Sequence, residues 1–475
     1  MEFYNNYKNN ILPKYGSNRD SIVDSSLLEI DKYPYQYSIE NRLNLEHVPS
    51  YSIDPEGCED ADDAFSIYNE GGELYLAIHI ADPTHYIQLN SPLWKNILER
   101  TVTRYPSNYP PIHLMPKDIV DKSSLMENRY GSHKNAISVI IEISPITYQP
   151  INNVRICYTQ IIIPKSNNLS YNTASKLIPY DTETSSILRN GLLIANSLKQ
   201  SRNTLGKKIN NHLVSNIKYI DSKPVFVQDN PIEKSMKEMI AEFAIFANTI
   251  VGKYLTYHLN GMGLYRTCES KEWLDTLDNT ISGKDLMNKI IDNGISANYQ
   301  SKVLSHDLVG SDEYCHFTSP IRRVSDCVCH YLLKYIFLSS NNKKLEIPFS
   351  ELQLSKISGR CQSLTKYMRK IQFNDKKFRT IETIYYMVKK NPIQLKIRFV
   401  SYSGLFLNFI ITEINDDEIC HKISISYSLR IKKYNYTKYW ISNPEAIINI
   451  TSVNLPGNFD EKTLPELDHF IKNPL

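Results

Sequence analysis

The chain has 475 residues, a formal net charge of +3 and 22% charged side chains, and its length fits two or three domains. A charge this close to zero leaves nucleic-acid binding open, because such binders are identified by basic patches rather than by the total. No apolar run approaches the ~18 residues of a membrane-spanning helix, and the N-terminus lacks the basic-then-apolar order of a secretory signal. The eight cysteines form no CxxC pair, which argues against a disulfide framework or a structural zinc site. We therefore expect a cytoplasmic protein that does not contact a membrane.

The N-terminal part of the chain passes from a polar stretch to β-rich segments. Residues 1 to about 45 form a polar leader that is too short for a complete β-barrel domain. Two apolar-rich segments, 64–68 and 73–82, flank Gly71-Gly72, a pattern typical of a β-hairpin. Further strands are predicted at 136–143 and 155–163.

The spacing of apolar residues becomes helical further along the chain. Between 232 and 258 they recur at intervals of three and four, which predicts a helix. Further helices are predicted at 284–293, 320–338 and 350–389. Asn391-Pro392 marks a break. The remainder is β-rich, with candidate strands at 394–400 and 404–410.

One segment gathers acidic residues just before an apolar strand. Six carboxylates fall within ten residues, at Asp54, Glu56, Glu59, Asp60, Asp62 and Asp63. Like charges this close repel, and a folded chain normally neutralises them with cations. All-oxygen ligands favour magnesium, manganese or calcium over zinc, and the pattern of an EF-hand loop does not fit. A solvated acidic loop is the alternative, and spacing alone does not decide between the two.

The choice between a metal site and a solvated loop depends on several other segments, which resemble those of a known family. After IDPEGCEDADDA at 53–64 come HIADPTHY at 79–86, YP at 105–106 leading to LMP at 114–116, EFAIFAN at 242–248, LYR at 264–266 and HFTSPIRR at 316–323. These blocks resemble, in order, those of the RNB (RNase II / RNase R-like) exoribonuclease family, and the acidic segment is similar to its metal-binding signature.

The resemblance implies an α+β fold with two domains. An RNB catalytic domain, a mixed or antiparallel sheet surrounded by helices, is expected at 46–390. A divergent, small OB or S1-like β-barrel is expected at 391–475, and such barrels grip single strands with basic and aromatic surfaces. Relatives usually carry cold-shock-type barrels before the RNB domain, for which the leader 1–45 leaves no room. We therefore expect weaker RNA anchoring and, as a hypothesis, a protein partner that delivers the RNA.

The resemblance also implies a reaction. It is the 3′-to-5′ hydrolysis of single-stranded RNA to nucleoside 5′-monophosphates, with Mg²⁺ as cofactor and Mn²⁺ as a substitute ion. Two ions about 4 Å apart would clamp the scissile phosphate. Asp54, Asp60, Asp62 and Asp63 are carried over as metal ligands, and Asp62 as the residue critical for the chemistry. Two alternatives stay open: a catalytically inactive RNB-fold RNA-binding or scaffold protein, and a metal-dependent endonuclease or deoxyribonuclease.

Arg322 is the second candidate catalytic residue. Thr318 or Ser319 is predicted to cap a helix whose first turn contains Pro320. Arg322 would then lie at a positive helix terminus, where a phosphate is favoured, and its guanidinium would neutralise charge on the phosphoryl oxygens. The alternative is an ordinary surface arginine in an ion pair.

Three further positions resemble the family's substrate-handling residues. Tyr105 matches an aromatic residue that stacks on a nucleotide, and Tyr171 a tyrosine near the 3′-terminal nucleotide. Glu242 matches a carboxylate that contacts the terminal nucleoside, through the ribose hydroxyl that distinguishes RNA from DNA. Core packing is the alternative for each of them.

Two other groups of residues each have two possible interpretations. His79, Asp82 and His85 resemble a metal set, but their place in and after an alternating strand favours hydrogen bonding within the core. The basic stretch at 360–379 lines an RNA path or presents a solvated face. Asp375 is the candidate for the acidic position that the resemblance leads us to expect in this helix.

Overall fold

The computed structural model describes most of the chain. It covers residues 2–16, 36–151, 154–202, 216–228, 230–277, 286, 289–290, 293–340, 345–403, 406–415, 420–430, 445–454 and 466–469. The helix predicted at 284–293 lies largely outside these ranges.

A five-stranded sheet forms the centre of the N-terminal part. Its strands are β1 (Leu43–Asn44), β3 (Asp63–Glu70), β4 (Glu73–Ala81), β5 (His133–Ile143) and β6 (Arg155–Ile162). Their order is β1-β6-β5-β4-β3, with β1 parallel to β6 and the other neighbours antiparallel. Gly71 and Gly72 form the β3–β4 turn with φ values of 63° and 92°, a conformation that glycine adopts without a steric penalty. The predicted hairpin and both further strands are confirmed.

Helices surround this sheet and bury its apolar faces, except for the short helix Lys271–Asp275, whose Leu274 lies in a separate small core. They are α2 (Pro92–Arg100), α3 (Lys117–Ser123), α4 (Tyr171–Leu177), α5 (Glu183–Ser201), α6 (Pro231–His258), α7 (Lys271–Asp275), α8 (Val324–Ser339) and α9 (Glu351–Val388). Phe243 on α6 packs against Phe65 on β3, with ring centroids 5.5 Å apart. Ser350 begins α9 with a capping box, which satisfies two backbone donors of its first turn.

Three short two-stranded pairs lie outside the main sheet. They are β2 (Ser52–Asp54) with β7 (Asn168–Ser170), β8 (Asn216–Ile220) with β9 (Lys223–Val227), and β10 (Tyr265–Thr267) with β11 (Asn298–Gln300). The β2–β7 pair is parallel and aligns Asp54 with Ser170. It thereby brings the acidic segment next to the start of α4.

A second five-stranded sheet forms the C-terminal part. Its strands are β12 (Ile393–Ser403), β13 (Phe406–Asn415), β14 (Cys420–Arg430), β15 (Glu445–Asn454) and β16 (Glu466–His469). All neighbours in the order β14-β13-β12-β15-β16 are antiparallel. Irregularities in the pairing of β12 with β13 are of the kind that bends a sheet. Ile397, Ile411 and Ile425 lie in a core that this sheet shares with Ile381 and Ile384 of α9. The α+β class with a small barrel-like C-terminal unit is confirmed, whereas the boundaries at 46, 390 and 391 stay predictions.

The N-terminal residues pack on the long helix α9. Helix α1 (Glu2–Asn10) and the 3₁₀ turn Leu12–Tyr15 share a small core with Met368, Ile371 and Phe378. Within the part of the chain that is described, no helix combines the length and apolarity needed to cross a bilayer.

Candidate active site

The acidic segment connects β2 to β3 and is fixed at both ends and in its middle. Asp54 ends β2 and Asp63 begins β3. Between them the buried backbone of Ala61 donates to Ser124 Oγ (3.1 Å) and accepts from Leu125 N (2.9 Å). The loop therefore holds its four aspartates in place, whereas Glu56 and Glu59 remain exposed to solvent.

Asp62 is the carboxylate with the most complete set of partners. It is 4% exposed, and its Oδ1 accepts from the backbone of Ile321 (2.8 Å) while its Oδ2 accepts from Arg322 Nε (2.9 Å). Burial raises its pKa to about 7, against the lowering effect of Arg322 and of the Ile321 amide. A carboxyl with this pKa changes its charge near neutral pH.

Asp54 and Asp63 share the same environment. Burial raises the pKa of Asp63 to about 6, although Arg322 and Arg323 lower it. The pKa of Asp54 is raised well above its ordinary value by burial and then by Asp63, Asp62 and Asp60. The four aspartates predicted from sequence are therefore brought close enough together to repel one another.

The donor chemistry of this cluster fits a hard divalent cation. Asp54 Oδ2 is buried without a hydrogen-bond partner, and a buried charge of this kind needs a counter-charge. The described residues do not, however, contain three His, Cys, Asp or Glu side chains already arranged as a ligand set. Instead the Cys58 thiol lies 3.8 Å from Asp54 Oδ1 and 3.5 Å from Asp60 Oδ1. The thiol therefore contacts one oxygen of each of these two aspartates, and Asp54 Oδ2 stays without a partner.

Arg322 reaches the cluster from a turn and not from a helix. The prediction of a helix beginning at Thr318 or Ser319 is wrong, because α8 begins at Val324 with Arg323 as its N-cap. Residues 319–322 form a turn in which Ser319 O accepts from the amides of Arg322 and Arg323 (3.3 and 3.1 Å).

The Arg322 side chain nevertheless stays accessible. It is 45% exposed while paired with Asp62, and its Nη2 also donates to Ser319 Oγ (2.9 Å). Its neighbour Arg323 instead forms a two-point ion pair with the buried Asp326. Of the two arginines, Arg322 is the one whose guanidinium lies between the carboxylates and solvent.

The two predicted tyrosines lie near different aspartates of the acidic cluster. Tyr105 is 39% exposed, and its hydroxyl donates to Asp60 Oδ2 (3.4 Å). Tyr171 is the first residue of α4, and its pKa is raised by burial and then by Asp63 and Asp54. The structure therefore brings both rings next to the carboxylates.

Glu242 is not in contact with this cluster. It is buried on α6 and accepts a 2.6 Å hydrogen bond from Arg202 Nη2. Burial raises its pKa, and the charges that act on it belong to Arg202, Lys199 and Glu238. The second oxygen, Oε2, is buried without a hydrogen-bond partner.

His79 and Asp82 belong to the core, as the alternative interpretation predicted. His79 bonds Ser66 and Ser138 through its two ring nitrogens (3.0 and 2.7 Å), and burial lowers its pKa to about 3. Asp82 is paired with Arg42 (2.7 Å) and Lys334 (2.9 Å).

Sequence reasoning missed two residues beside the cluster. Cys58 lies within the acidic segment itself, so its position in the sequence could have indicated that it lies beside the aspartates. His113 Nδ1 lies 3.9 Å from Asp60 Oδ2, and burial lowers its pKa. No local pattern marks His113, because 53 positions of chain separate it from Asp60.

Comparisons with known proteins show what this chain is similar to in sequence and in fold. The model of the RNB domain family matches residues 42–338. Ribonuclease R of Mycoplasmopsis pulmonis is 25% identical over 446 residues, which cover 86% of this chain and 59% of the relative. The chloroplastic/mitochondrial Ribonuclease II of Arabidopsis thaliana is 25% identical over 373 residues, 76% of this chain and 44% of the relative. The chain thus spans about half the length of the curated relatives it matches.

Solved structures share the fold at lower identity. RNase R of Mycoplasma genitalium, in complex with ribose methylated single-stranded RNA, aligns with a TM-score of 0.65 and 17% identity, over 88% of this chain and 75% of that one. Yeast Ssd1, described as a pseudonuclease, aligns with a TM-score of 0.61 and 15% identity, over 91% of this chain and 59% of that one. The same architecture therefore occurs in an RNase and in a protein without nuclease activity.

Proposed function

Because the chain belongs to the RNB family, we propose that it is a Mg²⁺-dependent exoribonuclease that degrades single-stranded RNA from the 3′ end to nucleoside 5′-monophosphates. The observation that carries the proposal is the pairing of Asp62 with Arg322 and the Ile321 amide. This contact joins the two predicted catalytic residues across the chain, at a crowded group of carboxylates. Four mutually repelling aspartates have a use in an enzyme that binds a cation and none in a simple scaffold.

Asp54, Asp60, Asp62 and Asp63 would hold Mg²⁺, or Mn²⁺ in its place, and a bound ion would supply Lewis-acid activation of water and of the phosphate. Arg322, exposed on one side, would bind the phosphoryl oxygens and neutralise part of their charge. The Ile321 amide would keep Asp62 oriented while Arg322 engages the RNA.

The tyrosines would hold the nucleotides. Tyr105 offers an exposed ring next to Asp60, and stacking of a base on such a ring contributes about 1–3 kcal/mol without reading its sequence. Tyr171 would pack near the 3′-terminal nucleotide. Glu242 would contact the ribose hydroxyl through its unpartnered Oε2 after a change in its pairing with Arg202.

A cytoplasmic location stays part of the proposal. It is supported by the eight cysteines, all of which are free thiols, as expected in a reducing compartment.

A second candidate function is RNA binding without cleavage. It is favoured by the fold shared with the pseudonuclease Ssd1 and by the absence of a ready-made ligand set among the described residues. The two functions differ in one observable, which is the product formed from RNA in the presence of Mg²⁺.

The test uses a 5′-labelled single-stranded RNA incubated with the purified chain and Mg²⁺, with EDTA as control. A ladder that shortens one nucleotide at a time from the 3′ end is expected, and nucleoside 5′-monophosphates should accumulate. Binding without any product would support the second function, and internal cuts would point to an endonuclease.

A further inference from the structure

Asp375, on the long helix α9, is a buried carboxylate with an unusual set of donors. It is 1% exposed, and its Oδ2 accepts three hydrogen bonds: from the hydroxyls of Tyr7 (2.9 Å) and Tyr15 (2.7 Å) and from the backbone of Ser107 (2.9 Å). These donors come from two places far away in sequence, the N-terminal segment and the loop 104–112. Several donors on one oxygen offset the cost of burying its charge.

Arg379, one helical turn after Asp375, also binds the loop 104–112. Its Nη2 donates to the backbone oxygen of Ser107 (2.8 Å), and its Nη1 to Glu382 (2.8 Å). The guanidinium carbon lies 3.6 Å from the centre of the Tyr7 ring. Both backbone polar groups of Ser107 are therefore held by α9.

The loop is fixed at its base as well. Arg104 and Ile112 pair as an isolated bridge through bonds of 3.0 and 2.9 Å, and Arg104 Nη1 donates to Tyr15 O (2.7 Å). Tyr109 stacks on Tyr7 at 5.5 Å. The loop thus contacts the N-terminal segment through Arg104 and Tyr109, while Tyr105, two residues before Ser107, reaches Asp60.

We propose that Asp375, with Tyr7 and Tyr15, is a positioning device that holds the Tyr105 ring at the acidic cluster. Asp375 is a positioning residue, because its partners are protein groups and it acts on RNA through Tyr105. An aromatic ring fixed before binding costs less ordering entropy when a base stacks on it. The part of this inference that concerns RNA rests on the proposed function.

The first measurement needs no RNA. Hydrogen exchange of the backbone amides at 104–112 is compared between the wild-type chain and the variants Asp375→Asn and Tyr15→Phe. Faster exchange in this segment is expected in both variants. Ser107→Ala is the matched control, since it keeps the backbone groups that α9 holds, and its exchange should not change. Unchanged exchange in Tyr15→Phe and Asp375→Asn would overturn the proposal.

The second measurement asks whether Asp375 acts through Tyr105. The affinity for a single-stranded RNA oligonucleotide is measured in EDTA for the wild-type chain, Asp375→Asn, Tyr105→Ala and the double variant. A loss of about tenfold on Asp375→Asn is expected in the wild-type background and less than about twofold in the Tyr105→Ala background. Equal losses in both backgrounds would show a merely structural role and contradict the proposal.

The two measurements also separate this inference from the proposed function. If the wild-type chain bound no RNA while the exchange results came out as expected, the proposed function would fail and the contact between α9 and the loop would stand. If RNA bound but the two losses were equal, the proposed function would stand and the positioning role would fail.

Discussion

At the scale of single residues, the neighbouring carboxylates of Asp62 and Asp54 differ in their hydrogen-bond partners. Each oxygen of Asp62 has a donor from the 321–322 turn, and these donors offset part of the cost of its burial. Asp54 Oδ2 has no hydrogen-bond partner among the described residues. Burial and the neighbouring aspartates favour the protonated form of Asp54, and they therefore raise its pKa well above the ordinary value.

If Mg²⁺ binds to the aspartates as proposed, their raised pKa values predict that its effect on stability depends on pH. The folded state holds the proton of Asp62 up to about pH 7, from an ordinary value of 3.8, so this carboxyl contributes stability at low pH that is lost as the pH rises through that window. Mg²⁺ must displace these protons at pH 5.5 but meets free carboxylates at pH 8. We expect Mg²⁺ to raise the melting temperature more at pH 8 than at pH 5.5.

The control for this prediction is the double variant Asp62→Asn, Asp63→Asn. It should show little effect of Mg²⁺ at either pH. Equal shifts at both pH values, or an undiminished shift in the double variant, would mean that Mg²⁺ acts elsewhere on the chain.

At the scale of secondary-structure elements, sequence patterns predicted the features that depend on residues close together in the chain. The β3–β4 hairpin followed from two apolar runs around Gly71-Gly72. The start of α8 did not follow, because the sequence at 318–322 carries both a capping residue and Pro320. In the structure, tertiary hydrogen bonds to Asp62 and Asp326 hold 319–321 in a turn instead. That competition is invisible without knowing which carboxylates come near.

Contacts between residues far apart in the sequence could not be predicted either. Asp375 was expected from resemblance alone as an acidic residue of the basic helix, whereas its donors Tyr7 and Ser107 lie 368 and 268 positions away. The aspartate quartet and Arg322 could be predicted as site residues because each stands in a recognisable local motif. Glu242 was predicted in the same way, but the described structure pairs it with Arg202 and not with the cluster.

Two helical glycines give a paired prediction on packing. A Cβ on Gly252 of α6 would lie 2.6 Å from the backbone oxygen of Glu313, so Gly252→Ala should destabilise the fold by about 1–3 kcal/mol. On Gly359 of α9 a Cβ would meet no described atom within 4 Å, so Gly359→Ala should stabilise by about 0.5–1 kcal/mol. Urea denaturation measures both, and changes of the same sign would contradict this account of the helix contacts.

At the scale of the whole molecule, one buried ion cluster ties together distant parts of the chain. Asp82, after β4, pairs with Arg42 near the beginning of the matched family region and with Lys334 near its end. All three side chains are at most 2% exposed. These two ion pairs connect the end of β4 to α8 and to the residues just before β1.

Removing the charge of Asp82 should therefore be costly. Asp82→Asn leaves Arg42 and Lys334 buried without a counter-charge, and we expect a loss of about 3–5 kcal/mol in the free energy of unfolding. Asp118→Asn is the matched control, because Asp118 pairs with the exposed Lys122 and Arg129 and should cost less than about 1 kcal/mol. Similar losses in the two variants would contradict the role given to the cluster.

The most direct test of the central claim compares the wild-type chain with Asp62→Asn on one 5′-labelled single-stranded RNA in Mg²⁺, with RNA affinity measured on the same preparations. The account predicts a 3′-to-5′ ladder from the wild-type chain, and near-complete loss of cleavage with retained RNA binding in the variant. Normal turnover by Asp62→Asn, or no cleavage by a wild-type chain that binds the RNA, would contradict it.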